Sequence, residues 1–422
     1  MIVLVFAGVL AFPRQAIAQR LPTSQVCVDC HLKQKDPRLS DPAKEFAKDI
    51  HAEVGLGCLD CHGGVGSAHG KGAMNRAMGF LGKPARRDIP AMCGRCHSDA
   101  VFMRKYDPSL RVDQVTEYWT SVHGQQLRQH NDPNVATCTN CHTAHSIRPP
   151  NDPTSTVYPT NVVGTCANCH GDAKLMAKYG LTTDEVTQYK ESVHGKTLFE
   201  KGDISAPTCN DCHGNHGAVP PGVSSVQNVC GQCHAMQAAA LDSSKHAERF
   251  TKGGRAGCAT CHGKHDIQPV ADTFLVARTN TVCFSCHAEN DPNGRSFLTD
   301  KHMLDSLQTQ AAIGRTLLLR AQNAGMEVSE ALFELDDVND ALTKARTAIH
   351  TMHVEPVRKE IDAGMAVATK AQQRGRAAMA EHRVRRIGLA VSAAIILILV
   401  LGLALKIRQV EARAEHHPQP MS

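Results

Sequence analysis

Across 422 residues this chain spreads one tryptophan, five tyrosines and eleven phenylalanines, too little aromatic bulk to fill a large protein-only core. Its 46 lysines and arginines against 41 aspartates and glutamates give a formal net charge of +5. No concentrated basic patch accompanies that surplus, so nucleic-acid binding has no footprint here.

At the amino end, Met1 to Phe12 is a short apolar run, followed by Ala16-Ile17-Ala18. The small-x-small form is that of a signal-peptidase site and predicts a signal peptide over 1–18, with Gln19 as the mature start, although the usual positive n-region is missing. Twelve apolar residues are short for a membrane span.

From residue 27 the chain repeats one pattern, Cys-x-x-Cys-His, nine times. The copies are Cys27/Cys30/His31, Cys58/Cys61/His62, Cys93/Cys96/His97, Cys138/Cys141/His142, Cys166/Cys169/His170, Cys209/Cys212/His213, Cys230/Cys233/His234, Cys258/Cys261/His262 and Cys283/Cys286/His287. Together they use all 18 cysteines. One copy alone would suit half a zinc site or a redox dithiol. Nine copies, each with histidine directly after the second cysteine, read as covalent haem c attachment. Two thiols at this spacing reach the two vinyl groups of one porphyrin, and the adjacent histidine comes under the iron as its proximal ligand.

The remaining histidines follow the motifs. A first motif (Cys93) is followed by a lone histidine in Ser121-Val122-His123-Gly124, then by a second motif whose His142 has another histidine three residues on, His145. The same order recurs with Cys166, Ser192-Val193-His194-Gly195, His213 and His216, displaced by 71 to 73 residues. A fixed period marks duplicated structural units. A compressed copy holds Cys230, His246, His262 and His265, and a half copy holds Cys283 and His302. The first copy has Cys27, His51, His62 and then His69, seven residues on instead of three. Nine spare histidines result, His51, His69, His123, His145, His194, His216, His246, His265 and His302, one for each motif. They are the candidate distal ligands, and an iron with two histidines passes electrons without an open position for substrate. Spacing alone does not say which histidine meets which iron. His130, in the polar stretch Gln129 to Pro133, fits no module and reads as structural. Met103, Met176 and Met236 read as packing around porphyrin edges.

On these motifs the chain resembles the multihaem c-type cytochromes with doubled Cys-x-x-Cys-His motifs, often labelled cytochrome c3-like, from Cys27 to about His302. The resemblance implies close-packed haems forming a conducting chain. The expected fold is mostly α with extensive loops, built from repeated two-haem modules with the haems themselves as core; runs such as Pro149-Pro150-Asn151-Asp152-Pro153 argue for loops and short helices with little sheet. Nine haems would add about eighteen propionate charges, making the loaded protein acidic.

Beyond the motifs the composition changes. A nonahaem domain over 19–298 is expected to give way to a helical stalk or hairpin over 299–386. Leu335, Val338, Leu342, Ala345, Ile349 and Met352 form an apolar seam at helical spacing. Breaks are expected at Asn323 to Gly325 and at Pro356, giving three helices. Ile361, Gly364, Ala368, Ala371 and Gly375 form a small-residue face suited to close packing. His350 and His353, three apart, are expected on one helix face; the solvated-face reading competes there with a haem ligand or a quinol-proton role. Ile387 to Leu405 is nineteen residues without a charge, about 28 Å of helix against a hydrocarbon core of about 30 Å. This predicts a transmembrane helix over 387–405 and a cytoplasmic tail over 406–422, in which His416 and His417 have no expected role. The flanks carry Arg383, Arg385 and Arg386 on one side and Lys406, Arg408 and Arg413 on the other, so charge does not orient the span. Cytochrome c maturation outside the cytoplasmic membrane, which the family resemblance implies, puts the haem domain in the periplasm.

The expected function is a membrane-anchored periplasmic cytochrome, moving electrons along nine bis-histidine haems between a quinol-linked membrane partner and a periplasmic or outer-membrane acceptor. An enzyme resembling multihaem reductases or dehydrogenases of nitrogen and sulfur compounds is the alternative. It requires one open iron, for which off-pattern His69 marks the suspect place. A structural or assembly subunit of a larger redox complex is the third reading.

Overall fold

The computed structural model describes residues 22–66, 72–222, 226–276 and 282–415. The expected signal segment 1–18, His69, His416 and His417 lie outside the described residues. Among the described residues every regular element is helical and no strand occurs. The chain divides into two compact units: one holds the sequence up to Val229 together with His262–Pro269, the other Cys230–Cys261 and everything from Val270.

Among the described residues of the first unit no helix exceeds the twelve residues of Pro159–His170. Motifs that open a module end a longer helix, as in Pro22–His31, Ile89–His97 and Pro159–His170. The three closing motifs instead form isolated five-residue helices, Cys58–His62, Cys138–His142 and Cys209–His213. A turn this short has no helical stability of its own. Its start is held by the residue between the cysteines: Asp60, Asn140 and Asp211 accept from the backbone N–H of Gly57, Thr137 and Thr208 at 2.7, 2.9 and 2.7 Å. That bond satisfies an N–H at the helix start.

After each closing histidine the chain turns through a left-handed residue: Gly63 (φ 66), Thr143 (φ 66) and Gly214 (φ 86). Thr143 is the exception to glycine, and His145 follows at φ 65. The hydrophobic core of this unit is thin. Tyr118, Leu127 and Val135 bury one cluster with Trp119 against it, and Val163 and Leu198 are buried singly, in keeping with the low aromatic count.

The second unit contains a conventional core. Asp291 caps the helix Pro292–Asn323 by accepting from Gly294 N–H at 2.7 Å, so this helix begins seven residues ahead of Thr299. It ends before Gly325, which adopts φ 78. Ser329–Leu335 and Asp337–Ala348 follow, and the seam residues Leu335, Val338, Leu342 and Ala345 are buried as the spacing predicts, though Asp336 splits them between two helices. The second break falls at Met352 (φ 58) instead of Pro356. Pro356 lies in the first turn of the helix Val354–Glu415, where its missing N–H has no intrahelical partner to lose. His350 and His353 flank this reversal, so they do not share an α-helical face.

The small-residue face packs as expected. Ile361, Ala368 and Ala371 are buried with Leu304, Leu307 and Leu318. A Cβ at Gly364 would stand 2.7 Å from Leu307 Cδ2 and 2.9 Å from Ala341 Cβ; one at Gly375 would stand 2.8 Å from Leu317 Cβ. The helix Val354–Glu415 runs 62 residues, about 93 Å. Its stretch from Ile387 to Leu405 is exposed throughout, Leu389 at 72% and Ile398 at 70%, and this helix is long and apolar enough to cross a membrane.

Candidate functional site

The cysteines fall into a linear order that follows the sequence. Within each module the first cysteines of the two motifs meet: Cys27 with Cys58, Cys93 with Cys138 and Cys166 with Cys209 in the first unit, and Cys230 with Cys258 in the second. Burial raises the Cys58 thiol to about 11. Between modules, Cys61 interacts with Cys93, Cys141 with Cys169, and Cys261 with Cys286. The motifs of each unit therefore form an unbroken file, six in the first and three in the second.

The second cysteines Cys30, Cys61, Cys212, Cys233 and Cys286 are exposed, and so is the motif histidine His234. Cys30 is the penultimate residue of Pro22–His31, where its carbonyl accepts from Gln34 Nε2 at 3.1 Å. Cys233 and His234 depart further: the helix Val226–Gly231 stops before them and Ala235–Asp242 starts after them, so both sit on the link between two helices. His234, at φ −99 and ψ 47, is the residue that leads into the second of these. The Cys230 motif thus lacks the continuous turn that carries both cysteines and the histidine in Ile89–His97 or Pro159–His170. A thioether forms at a porphyrin edge, so exposed Cys30 and Cys233 keep the reach that attachment requires.

Histidines meet across modules, not within them. In the first unit the ring of His51 lies 5.9 Å from His97, His62 5.9 Å from His145, His123 6.2 Å from His170, His142 6.1 Å from His216 and His213 6.0 Å from His265. In the second unit His246 lies 6.0 Å from His287. Metal–imidazole bonds of about 2 Å on each side, with about 1.1 Å from each nitrogen to its ring centre, put two such rings about 6 Å apart. Each pair joins one motif histidine to one spare histidine. A lone histidine faces the opening motif of the next module, and a histidine three residues after a closing motif faces the closing motif of the preceding module. The planes of the second class are nearly parallel, at 13° to 16°, whereas those of the first cross at 62° to 87°.

A backbone strap accompanies each crossing in the first unit. Ile50, Val122 and Val193, each one residue before a lone histidine, donate N–H to Ile147, Ala218 and Ile267, each two residues after a +3 histidine, at 2.9, 3.1 and 2.7 Å. The same strap in three places fixes both ligand-bearing segments of neighbouring modules at once.

The doubled CXXCH motif family matches residues 250–292, which contain the Cys258 and Cys283 motifs. The chain is 25% identical to multiheme cytochrome MtrA of Shewanella baltica over 286 residues, 64% of this chain and 68% of that protein. It is 24% identical to the C-type polyheme cytochrome OmcC of Geobacter sulfurreducens over 377 residues, 76% of this chain but 44% of that one's length. This chain is a multihaem c-type cytochrome. No solved structure matches it.

The side chains of this cytochrome suit haem iron in protonation as well as spacing. Burial lowers the pKa of His97, His123, His145, His170, His216, His246 and His265, and takes His142 to about 4. Imidazoles kept neutral in this way retain the lone pair that a metal needs. Several point Nδ1 at a fixed acceptor: His31 at Leu39 O (2.9 Å), His62 at Gly82 O (2.9 Å) and His213 at Val219 O (3.2 Å). Donation from Nδ1 leaves Nε2 for the metal.

His51 has a carboxylate within hydrogen-bond distance, whereas the nearest to His216 and His287 stand at 3.8 Å (Glu117) and 3.7 Å (Asp291). Asp49 Oδ1 lies 2.8 Å from His51 Nδ1 and accepts from His51 N–H at 2.9 Å, while Oδ2 accepts from Ile147 N–H at 2.8 Å. Burial pushes the Asp49 carboxyl up, but the bonds from His51 and Ile147 outweigh it and hold the group below the usual range. Sequence reasoning missed Asp49 and the straps. The signal was present, since Asp49-Ile50-His51 occupies the place of Ser121-Val122-His123, but a helix-capping residue explains both equally well.

Other candidates take different positions. His194 is partly buried in the helix Val193–Phe199. His302 is exposed on the helix Pro292–Asn323, and among the described residues no histidine ring is placed opposite it. His350 is partly buried with Nδ1 3.0 Å from Thr347 O, and His353 is exposed. His130 is exposed at the end of the helix Val122–His130. Met103 and Met176 are buried by protein, whereas Met236 is 71% exposed.

Proposed function

We propose that this electron-transfer cytochrome carries nine haems c in chain order, each on one Cys-x-x-Cys-His motif, with interlocked bis-histidine ligation. The observation that carries the reading is the set of six histidine pairs at 5.9 to 6.2 Å, the spacing that one iron between them demands. His51 serves the third haem, His145 the second, His123 the fifth, His216 the fourth, His265 the sixth and His246 the ninth. His69, His194 and His302 complete the supply of nine. Two strong axial imidazoles leave iron no position for substrate, so the file conducts.

The exposed apolar helix supports anchoring in the cytoplasmic membrane, with the haem region on the periplasmic side where covalent haem attachment takes place. Electrons then run between a quinol-linked membrane partner and a periplasmic or outer-membrane acceptor. The test is electron paramagnetic resonance of the oxidised, detergent-purified protein with haem quantified, and nitrite or hydroxylamine added to a parallel sample. About nine low-spin haems unchanged by either ligand are expected.

The opposite result defines the second reading. A high-spin signal of about one haem per chain that shifts on adding nitrite or hydroxylamine would make the protein a multihaem reductase or dehydrogenase. The off-pattern spacing of His69, seven residues after His62, places the open iron of that reading in the first module.

A further inference from the structure

The four modules hold their lone histidines in two ways. In three of them a serine stands two residues before the histidine and bonds backbone alone: the hydroxyls of Ser121, Ser192 and Ser244 accept from the N–H of Gly124, Gly195 and His246 at 2.9, 3.1 and 3.2 Å and donate to the carbonyls of Tyr118, Tyr189 and Leu241 at 2.6 Å. In the first module the same position is Asp49, with 1% of its surface exposed. A cap needs one acceptor atom, which serine supplies three times over. Asp49 does more, since the oxygen that caps His51 N–H also lies 2.8 Å from His51 Nδ1. Its other oxygen takes the N–H of Ile147, two residues after His145. At the opposite extreme, His246 Nδ1 is buried with no hydrogen-bond partner among the described residues.

We propose that Asp49 is a positioning and tuning residue, which gives His51 imidazolate character and lowers the potential of the third haem. The inference rests on the ligation proposed above. A carboxylate on the outer nitrogen of a metal-bound imidazole fixes its tautomer and raises its basicity. A more basic axial ligand stabilises ferric over ferrous iron, so the site gives up its electron more readily. Because the other oxygen of Asp49 binds the strap beside His145, the same side chain braces the distal ligands of the second and third haems together.

The deciding variant is Asp49→Asn in the full-length, haem-loaded protein, since it keeps the shape of the residue and an oxygen for His51 while removing the charge. Spectroelectrochemical titration is expected to show one haem moving toward easier reduction by about tenfold in its equilibrium constant, about 59 mV for one electron. The low-spin resonance of that haem should shift while total haem and total low-spin count stay at the parent values. Asp49→Ser, which installs the side chain used by the other three modules, should move the same haem in the same direction. In a background lacking the third haem (Cys93→Ala with Cys96→Ala) the effect should vanish. Potentials in both variants within about twofold of the parent overturn the proposal, as does a shift that survives deletion of the third haem. The haem and spin counts of the parent separately test the ligation itself, so failure of the two ideas is distinguishable.

Discussion

His216 stands three residues from His213, yet its ring lies opposite His142 at 6.1 Å. Replacing His216 by alanine should therefore open the fourth haem and leave the sixth untouched. A methyl group cannot span the roughly 4 Å between the two ligating nitrogens, so one iron becomes five-coordinate or takes water. With nine motifs in the chain, about one-ninth of the haem should turn high-spin and bind carbon monoxide. The fold should persist, because the strap from Val122 N–H to Ala218 O is made by backbone alone. Magnetic resonance and carbon monoxide difference spectra quantify the open haem, and two deletion backgrounds locate it. With Cys138→Ala and Cys141→Ala the new signal should disappear, and with Cys209→Ala and Cys212→Ala it should remain. The reverse result would mean that His216 serves its own motif, and the crossed ligation would be refuted.

The remaining expectations concern the helical part of the second unit. Gly364→Val should destabilise it by about 1–3 kcal/mol, since the new Cβ meets Leu307 and Ala341 below 3 Å; Gly388→Ala, with nothing within 4 Å, should be neutral in the same thermal melt. Asp272 accepts two bonds from Arg346 and one from Gln308, and Arg346 holds its carboxyl below the usual range. Its contribution is present above the unfolded pKa of about 4 and is lost as pH falls through the lower folded value. Asp272→Asn should cost about 1.5–3 kcal/mol at pH 7 and flatten the acid limb of a denaturant series. Asp300 has the opposite sign: it is 4% exposed, Oδ1 has no partner, and burial raises it to about 7. From pH 4 to 7 the folded state holds the extra proton, so stability falls as pH rises, by roughly 4 kcal/mol over about three units at 1.36 kcal/mol each. Asp300→Asn should remove that slope, and an unchanged slope would show that another group carries it.

What could be read from the sequence and what could not divides along a physical line. Covalent haem attachment needs a fixed local spacing, so every cysteine and motif histidine is visible in Cys-x-x-Cys-His. The seam from Leu335 to Ala345 and the small face around Gly364 were equally visible, because helix periodicity is local. Exposure is not: identical spacing leaves His142 half-buried and His234 open, and only the first sits on an unbroken helical turn. Ligand pairing is not local either. The sequence puts His145 beside His142, but left-handed turns at Thr143 and His145 carry the side chain away from its own motif, toward His62 of the preceding module. The second helix break was misplaced for a related reason. Proline forbids a helix interior but suits a first turn, and Met352 at φ 58 makes the reversal without any sequence signature. Asp49 stayed hidden because its capping role needs no further explanation until His51 Nδ1 is seen beside it.

Crossed ligation has a consequence for how the first unit is built. In the proposed ligation His51 and His123 reach forward to the opening motif of the next module, and His145, His216 and His265 reach back to the closing motif of the previous one, so the module from Cys93 to His145 gives two ligands away and receives two. No internal module can complete its own irons, and each iron, once bound, cross-links two segments about 46 to 83 residues apart, from His97 to His51 and from His145 to His62. Closing loops of that length removes chain entropy from the unfolded state, and the thin cores around Leu127 and Leu198 supply little burial to replace it. The same links that conduct therefore hold the unit together. Loss of one distal histidine should leave a folded protein with one open iron, whereas loss of a whole module, for instance residues 93 to 145, should strip ligands from both neighbours and cost the fold as well as the wire.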